Sequence, residues 1–157
     1  MTNTRLEEVK KSIKTIDHMI YVTYPILKET RLLIKILEQI HNNISAIIDL
    51  ILNHEYACKR IKIYSDSKLN FETFATKCAP RYGIIQDQVN ATKQIICLIK
   101  AHSASPLEFA RKDKFIIMLD DLKTEEINIE KLKLYLSLVK DLAKKTELAF
   151  SLEKSFL

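Results

Sequence analysis

Apolar residues recur at Leu33, Leu37, Ile40, Ile44, Ile47 and Ile51 in alternating steps of four and three. The same phase then passes through His54, Cys58 and Ile61. Steps of this kind describe a heptad seam along one helix face. The stretch from Pro25 to Tyr64 that carries the seam has no glycine and no internal proline. It predicts one very long helix over about 26–64, roughly 55 to 60 Å from end to end. Other segments must cover such a helix. Leu6, Val9, Ile13, Ile16 and Ile20 make a second seam, opened by a Thr4–Glu7 capping box. Pro25 disfavours helical geometry in the residue before it, so this first helix is expected to end near Tyr24. A short connection then lays it antiparallel on the N-terminal half of the long helix.

After Tyr64, the polar run Ser65-Asp66-Ser67 breaks the pattern. Asn70 reads as the cap of a short helix through Phe71, Phe74 and Cys78, closed by Pro80 and a turn at Arg81-Tyr82-Gly83. Ile85, Val89, Thr92, Ile96 and Ile99 predict a helix over about 84–103, expected to cover the C-terminal half of the long one. Ser105-Pro106-Leu107-Glu108 has the form of a helix start, with a short helix following. The run Phe115-Ile116-Ile117-Met118-Leu119, the acidic pair Asp120-Asp121 and the segment 122–127 read as a small β-hairpin, with helix as the alternative. Aromatic and β-branched residues favour the hairpin; the missing turn glycine counts against it. Asn128 caps a last helix whose seam is Ile129, Leu132, Leu136, Val139, Ala143, Thr146 and Phe150. Leu138, Leu142 and Leu148 are expected to widen that face. With no internal repeat and no low-complexity linker, residues 1–157 read as one mainly α domain, an antiparallel helical bundle.

Composition narrows the picture. Of 157 residues, 47% are hydrophobic, enough for a real core. The single glycine, Gly83, and three prolines exclude a turn-rich sheet fold and any phosphate-binding loop. Net charge is +5, compatible with nucleic acid or another anionic partner. Three cysteines, Cys58, Cys78 and Cys97, form no C-x-x-C pair and read as reduced thiols of a cytoplasmic protein. No apolar run approaches the ~18 residues of a membrane span, so no membrane partner is expected.

Catalytic motifs are missing. Glu38-x-x-His41 has the spacing of a di-iron ligand pair, but no second such motif exists, and no metal or cofactor is expected. None of Arg5, Arg31, Arg60, Arg81 or Arg111 is followed four to six residues later by histidine, as the helical HEPN ribonucleases require. Triads, zinc spacings and dinucleotide fingerprints are also absent, so no catalytic residue is named. His54 is the polar interruption of the long seam, where such a residue fixes register or partner choice. The segments Asp17-His18-Met19-Ile20-Tyr21 through Tyr24-Pro25, and Ser105 to Phe115, resemble stretches in small uncharacterised helical proteins of archaea. The resemblance implies a cytosolic helical domain and carries no activity.

Two readings follow. The first is a non-enzymatic interaction protein that pairs its long helix with a protein partner or its own copy, through Ile34, Ile48, Leu52 and His54. The alternative is a nucleic-acid module, more suited to RNA, in which cations meet phosphates and aromatic faces stack on unpaired bases. Its residues would be Lys59, Arg60, Lys62 and Tyr64; Arg81 and Tyr82; and Arg111, Lys112 and Lys114 within the aromatic-flanked segment 109–115.

Overall fold

The seam from Leu33 to Ile51 is fully buried along its length. In the computed structural model, which describes residues 2–104, 109–111, 113–119 and 123–155, it lies on a helix of 28 residues, Thr30–Ala57. In chain order the elements are α1 (Thr2–His18), a π turn (Met19–Thr23), α2 (Tyr24–Leu27), α3 (Thr30–Ala57) and α4 (Ser67–Thr73). A second π turn (Phe74–Cys78) and a 3-10 turn (Ala79–Tyr82) lead to α5 (Gln86–Ala104), then β1 (Phe109–Arg111), β2 (Lys114–Met118), β3 (Thr124–Ile127) and α6 (Ile129–Ser155). The mainly helical bundle and the hairpin are both present, but α3 is about 42 Å long, shorter than expected.

Lysines in a left-handed conformation end α2, just before the extended Glu29 that opens α3, and follow the end of α3. Lys28 has φ 51°, and its N–H donates to the Tyr24 carbonyl over 2.8 Å. Lys59 has φ 60° and donates to Tyr56 O over 2.9 Å, while Arg60 N donates to Glu55 O over 3.0 Å. That pair of bonds is a Schellman cap. The segment 59–64 is therefore a connection after the helix, not its charged last turns.

The first helical run also departs from expectation, because it passes through Pro25 as far as Leu27. A proline removes one ladder hydrogen bond, and its ring collides with the carbonyl four residues back. Here the wider π turn Met19–Thr23 precedes it and loosens that part of the ladder.

α1 lies antiparallel on α3. Asn43 Nδ2 donates to Ser12 Oγ over 2.8 Å, and Arg5 lines the same groove as Asp49 and Leu50. α1 thus reaches well into the C-terminal half of α3. α5 reaches the other half, where His102 Nε2 lies 3.0 Å from Glu38 Oε1. α1 therefore passes beyond the N-terminal half expected of it, and α5 meets the half that was expected to be left to α1. α6 runs antiparallel to α1, pinned by Lys10–Glu147 and Lys140–Asp17 at 2.5 Å each.

Local signals explain the remaining elements. Asp66, not Asn70, caps α4, accepting from Lys68 N over 2.9 Å. Asn70 instead binds the Tyr64 backbone at both N–H and C=O, each over 2.8 Å. On α5 the buried residues are Val89, Thr92, Ile95 and Leu98, whereas Ile85 is exposed and Ile96 and Ile99 are half-buried. The expected seam is rotated toward its neighbour. Thr92 and Thr146 are fully buried, their hydroxyls donating to the carbonyls four residues back over 2.8 Å. Asn128 caps α6, accepting from Lys131 N over 2.8 Å. The α6 seam is buried from Leu132 to Phe150, Leu142 with it, while Leu148 is exposed.

The antiparallel sheet has order β1-β2-β3, with Phe109 opposite Ile116 and Phe115 opposite Ile127. The third strand, β1, lies where the sequence suggested a short helix after Pro106. Residues 105–108 and the acidic turn Asp120-Asp121 lie outside the described residues. Phe115, Ile117 and Ile127 join the common core.

Candidate functional site

The Schellman cap of α3 places a charged pair where an apolar one is usual. Glu55 and Arg60, whose backbones close the cap, also join through side chains, with Arg60 Nη1 3.0 Å from Glu55 Oε1. Glu55 is 1% exposed, so its carboxylate needs internal partners. Tyr82, delivered by the 3-10 turn, donates its hydroxyl to the same oxygen over 3.1 Å. Arg81 Nε sits 3.6 Å from Glu55 Oε2, an ion-pair distance too long for a good hydrogen bond. Glu55 Oε2 has no hydrogen-bond partner among the described residues.

The end of α6 completes the cluster. Arg60 Nη1 donates to Glu153 Oε1 over 2.8 Å, and His54 Nε2 meets Glu153 Oε2. The His54 ring packs on Phe150 at 4.5 Å, and Tyr82 meets Phe150 edge-on at 6.1 Å. Cys58 Sγ lies 3.8 Å from His54 Nε2. Beside these groups is an open cleft of about 330 Å³ lined by Glu55, Arg81, Tyr82, Ala149, Leu152 and Glu153.

Electrostatics follow from the pairing. Burial works against the charged form of Glu153, but hydrogen bonds from His54 and Arg60 outweigh it and hold its carboxyl below the usual range. Burial, then the nearby Glu55 charge, drives the Tyr82 hydroxyl far up, so it stays a neutral donor. The same two causes push the buried Cys78 thiol up to about 11. Neither is an activated nucleophile.

The structure brings the first two basic clusters to one end and leaves the third elsewhere. Lys59, Lys62 and Tyr64 are exposed in the connection after α3. Arg60 and Arg81 are held by carboxylates, and Tyr82 is buried. Lys114 lies on β2, paired with Glu126 at 3.2 Å. The sheet sits by His102, whose ring meets Phe115 edge-on, toward the opposite end of α3. Only the backbone of Arg111 is described, and Lys112 lies outside the described residues. Of the four residues proposed for pairing α3 with a partner, Ile48 and Leu52 are buried in the chain's own core, and Ile34 packs half-buried against it. His54 is half-buried beside Glu153. The outward face that those residues would need is covered from within.

A different surface is apolar. Tyr21, Val22, Ile26 and Leu27 are 52, 43, 75 and 56% exposed, all within the π turn and α2. Lys133 lies over the Tyr21 ring at 5.3 Å. Sequence reading missed this corner because it ended the helix at Tyr24. It missed Glu55, Cys58 and Glu153 for another reason. Only the His54–Cys58 spacing of four was a local signal, and Glu153 arrives from 99 residues away.

No helix among the described residues is long and apolar enough to cross a membrane. No family model, curated protein or solved structure matches the chain.

Proposed function

We propose that this protein is a non-enzymatic interaction module that docks a protein partner, or a second copy of itself, through the corner formed by Tyr21, Val22, Ile26 and Leu27. The observation that supports this reading is the exposure of four large apolar side chains within seven consecutive residues. Isolated exposed apolar residues are ordinary, but a group of them on one corner marks an association surface. Val22 and Ile26, four apart, lie one above the other on the helical run. The π turn that carries Tyr21 and Val22 is an irregularity of a kind often found at functional sites.

The reading moves the interaction away from Ile34, Ile48 and Leu52 and keeps the interaction itself. It also fits the pairing of Arg60, Arg81 and Tyr82 with the carboxylates of Glu55 and Glu153. Capture from native lysate by the immobilised protein, with and without nuclease, tests it. We expect retained protein, or the chain's own copies, to survive nuclease. Capture that disappears with nuclease would transfer the function to nucleic acid. No capture, together with a monomeric mass by light scattering at all concentrations, would end the interaction reading.

A further inference from the structure

We infer that His54, Cys58 and Glu153 form a binding site for a divalent transition metal of the zinc class. His54 and Cys58 are four residues apart at the end of α3, so their side chains project from one face. Glu153 comes from α6 and faces the same point. His54 Nε2, Cys58 Sγ and the Glu153 carboxylate oxygen lie within 4.8 Å of one another. Imidazole nitrogen, thiolate and carboxylate are the three ligand types that zinc accepts.

The spacing can be compared with what an ion needs. Zn–S of about 2.3 Å and Zn–N of about 2.0 Å at a tetrahedral angle set sulfur and nitrogen about 3.5 Å apart. The Cys58 Sγ to His54 Nε2 distance is 3.8 Å. The His54–Glu153 pair is closer than two ligands of one ion and must open by side-chain rotation as the ion enters. Three protein ligands leave the fourth position to water or to a group from a partner, the open form of such sites.

The surroundings support the assignment. Arg60 holds Glu153 by Oε1, leaving Oε2 directed at His54, and Phe150 fixes the plane of the imidazole. Outer groups that orient ligands in this way are typical of metal centres. The three ligand side chains gather at the C-terminus of α3, where the helix dipole favours positive charge. Glu55 and Glu153 balance Arg60 and Arg81 in charge. A divalent ion with one thiolate therefore adds a single net positive charge. On binding, the Cys58 thiol proton passes to solvent and Glu153 contributes its existing carboxylate. The proton that His54 Nε2 shares with Glu153 leaves that nitrogen so that its lone pair can meet the ion, the neutral ring keeping a proton on Nδ1. The thiolate selects against magnesium and calcium.

The inference is independent of the docking corner, which lies toward the other end of the molecule. Its test is a Co²⁺ titration of the full-length reduced protein, followed by displacement with Zn²⁺. We expect one equivalent of Co²⁺ to produce a thiolate-to-cobalt charge-transfer band that Zn²⁺ removes. Cys58→Ser, at an exposed position, should abolish the band, and Cys97→Ser, an exposed thiol on α5, should leave it intact. Glu153→Gln should weaken binding by at least the roughly 10- to 100-fold that loss of an outer-shell partner costs. No band in the wild-type protein, a band that survives Cys58→Ser, a band lost in Cys97→Ser, or unchanged affinity in Glu153→Gln would each overturn the site.

Discussion

Glu55 shows at the scale of one residue how helix ending and site formation are linked. Its carbonyl accepts the bond that closes the α3 cap, and its carboxylate receives Arg60 and Tyr82. Glu55→Ala leaves the Tyr82 hydroxyl buried without its acceptor and should cost about 1–3 kcal/mol, seen as a lower denaturant midpoint. A midpoint unchanged from the wild type would remove Glu55 from this role. His41 makes the second prediction at this scale. Burial lowers its pKa, offset in part by a hydrogen bond with Asn42. With the folded value depressed, the unfolded chain takes up the proton first, at about 6.5. Stability from neutral His41 is whole above that pH and declines as pH falls through the folded value. Replacing His41 with Gln should flatten stability between pH 7 and 5, read from melting curves; an unchanged slope would contradict it. Little of this was legible in the sequence. His54 stood out as a polar break in a seam, but burial of Glu55 depends on what packs above it, and no local pattern encodes that.

Elements were more legible than their ends. The seams of α1, α3 and α6 could be read directly, since a helix that buries one face must repeat its apolar residues at helical spacing. Their limits could not, for reasons that lie in particular residues. The usual stop, a left-handed glycine, closes the 3-10 turn at Gly83 but not α2 or α3, where Lys28 and Lys59 occupy that conformation instead. Pro25 was read as a stop, yet the π turn before it carries the helix past. β1 is three residues long, too short to show an alternation. The caps supply a prediction. A left-handed conformation costs a non-glycine residue roughly 1–2 kcal/mol, and glycine's greater freedom when unfolded returns about 0.4–1 of that. Lys59→Gly and Lys28→Gly should each therefore stabilise the protein modestly, with a higher melting temperature. A lower melting temperature for both would mean that the lysine side chains contribute more than their backbones cost.

For the whole molecule, the common core sits around α3, with α1, α5, α6 and the sheet on its sides. Ile44→Ala opens a cavity at a fully buried position and should cost about 2–5 kcal/mol. A cost below 1 kcal/mol would mean that the core is looser than described. This inward use of the long seam is why a pairing face on α3 could be expected from sequence and yet lies inside the monomer. Heptads specify an apolar stripe but not whether the cover comes from the same chain. The surface we propose for association is the corner at Tyr21 to Leu27, and one comparison tests it most directly. The Val22→Glu, Ile26→Glu double variant should keep the wild-type melting temperature closely, since both residues are exposed, and should lose the nuclease-resistant capture of protein. Undiminished capture by a variant that melts like the wild type would contradict the account.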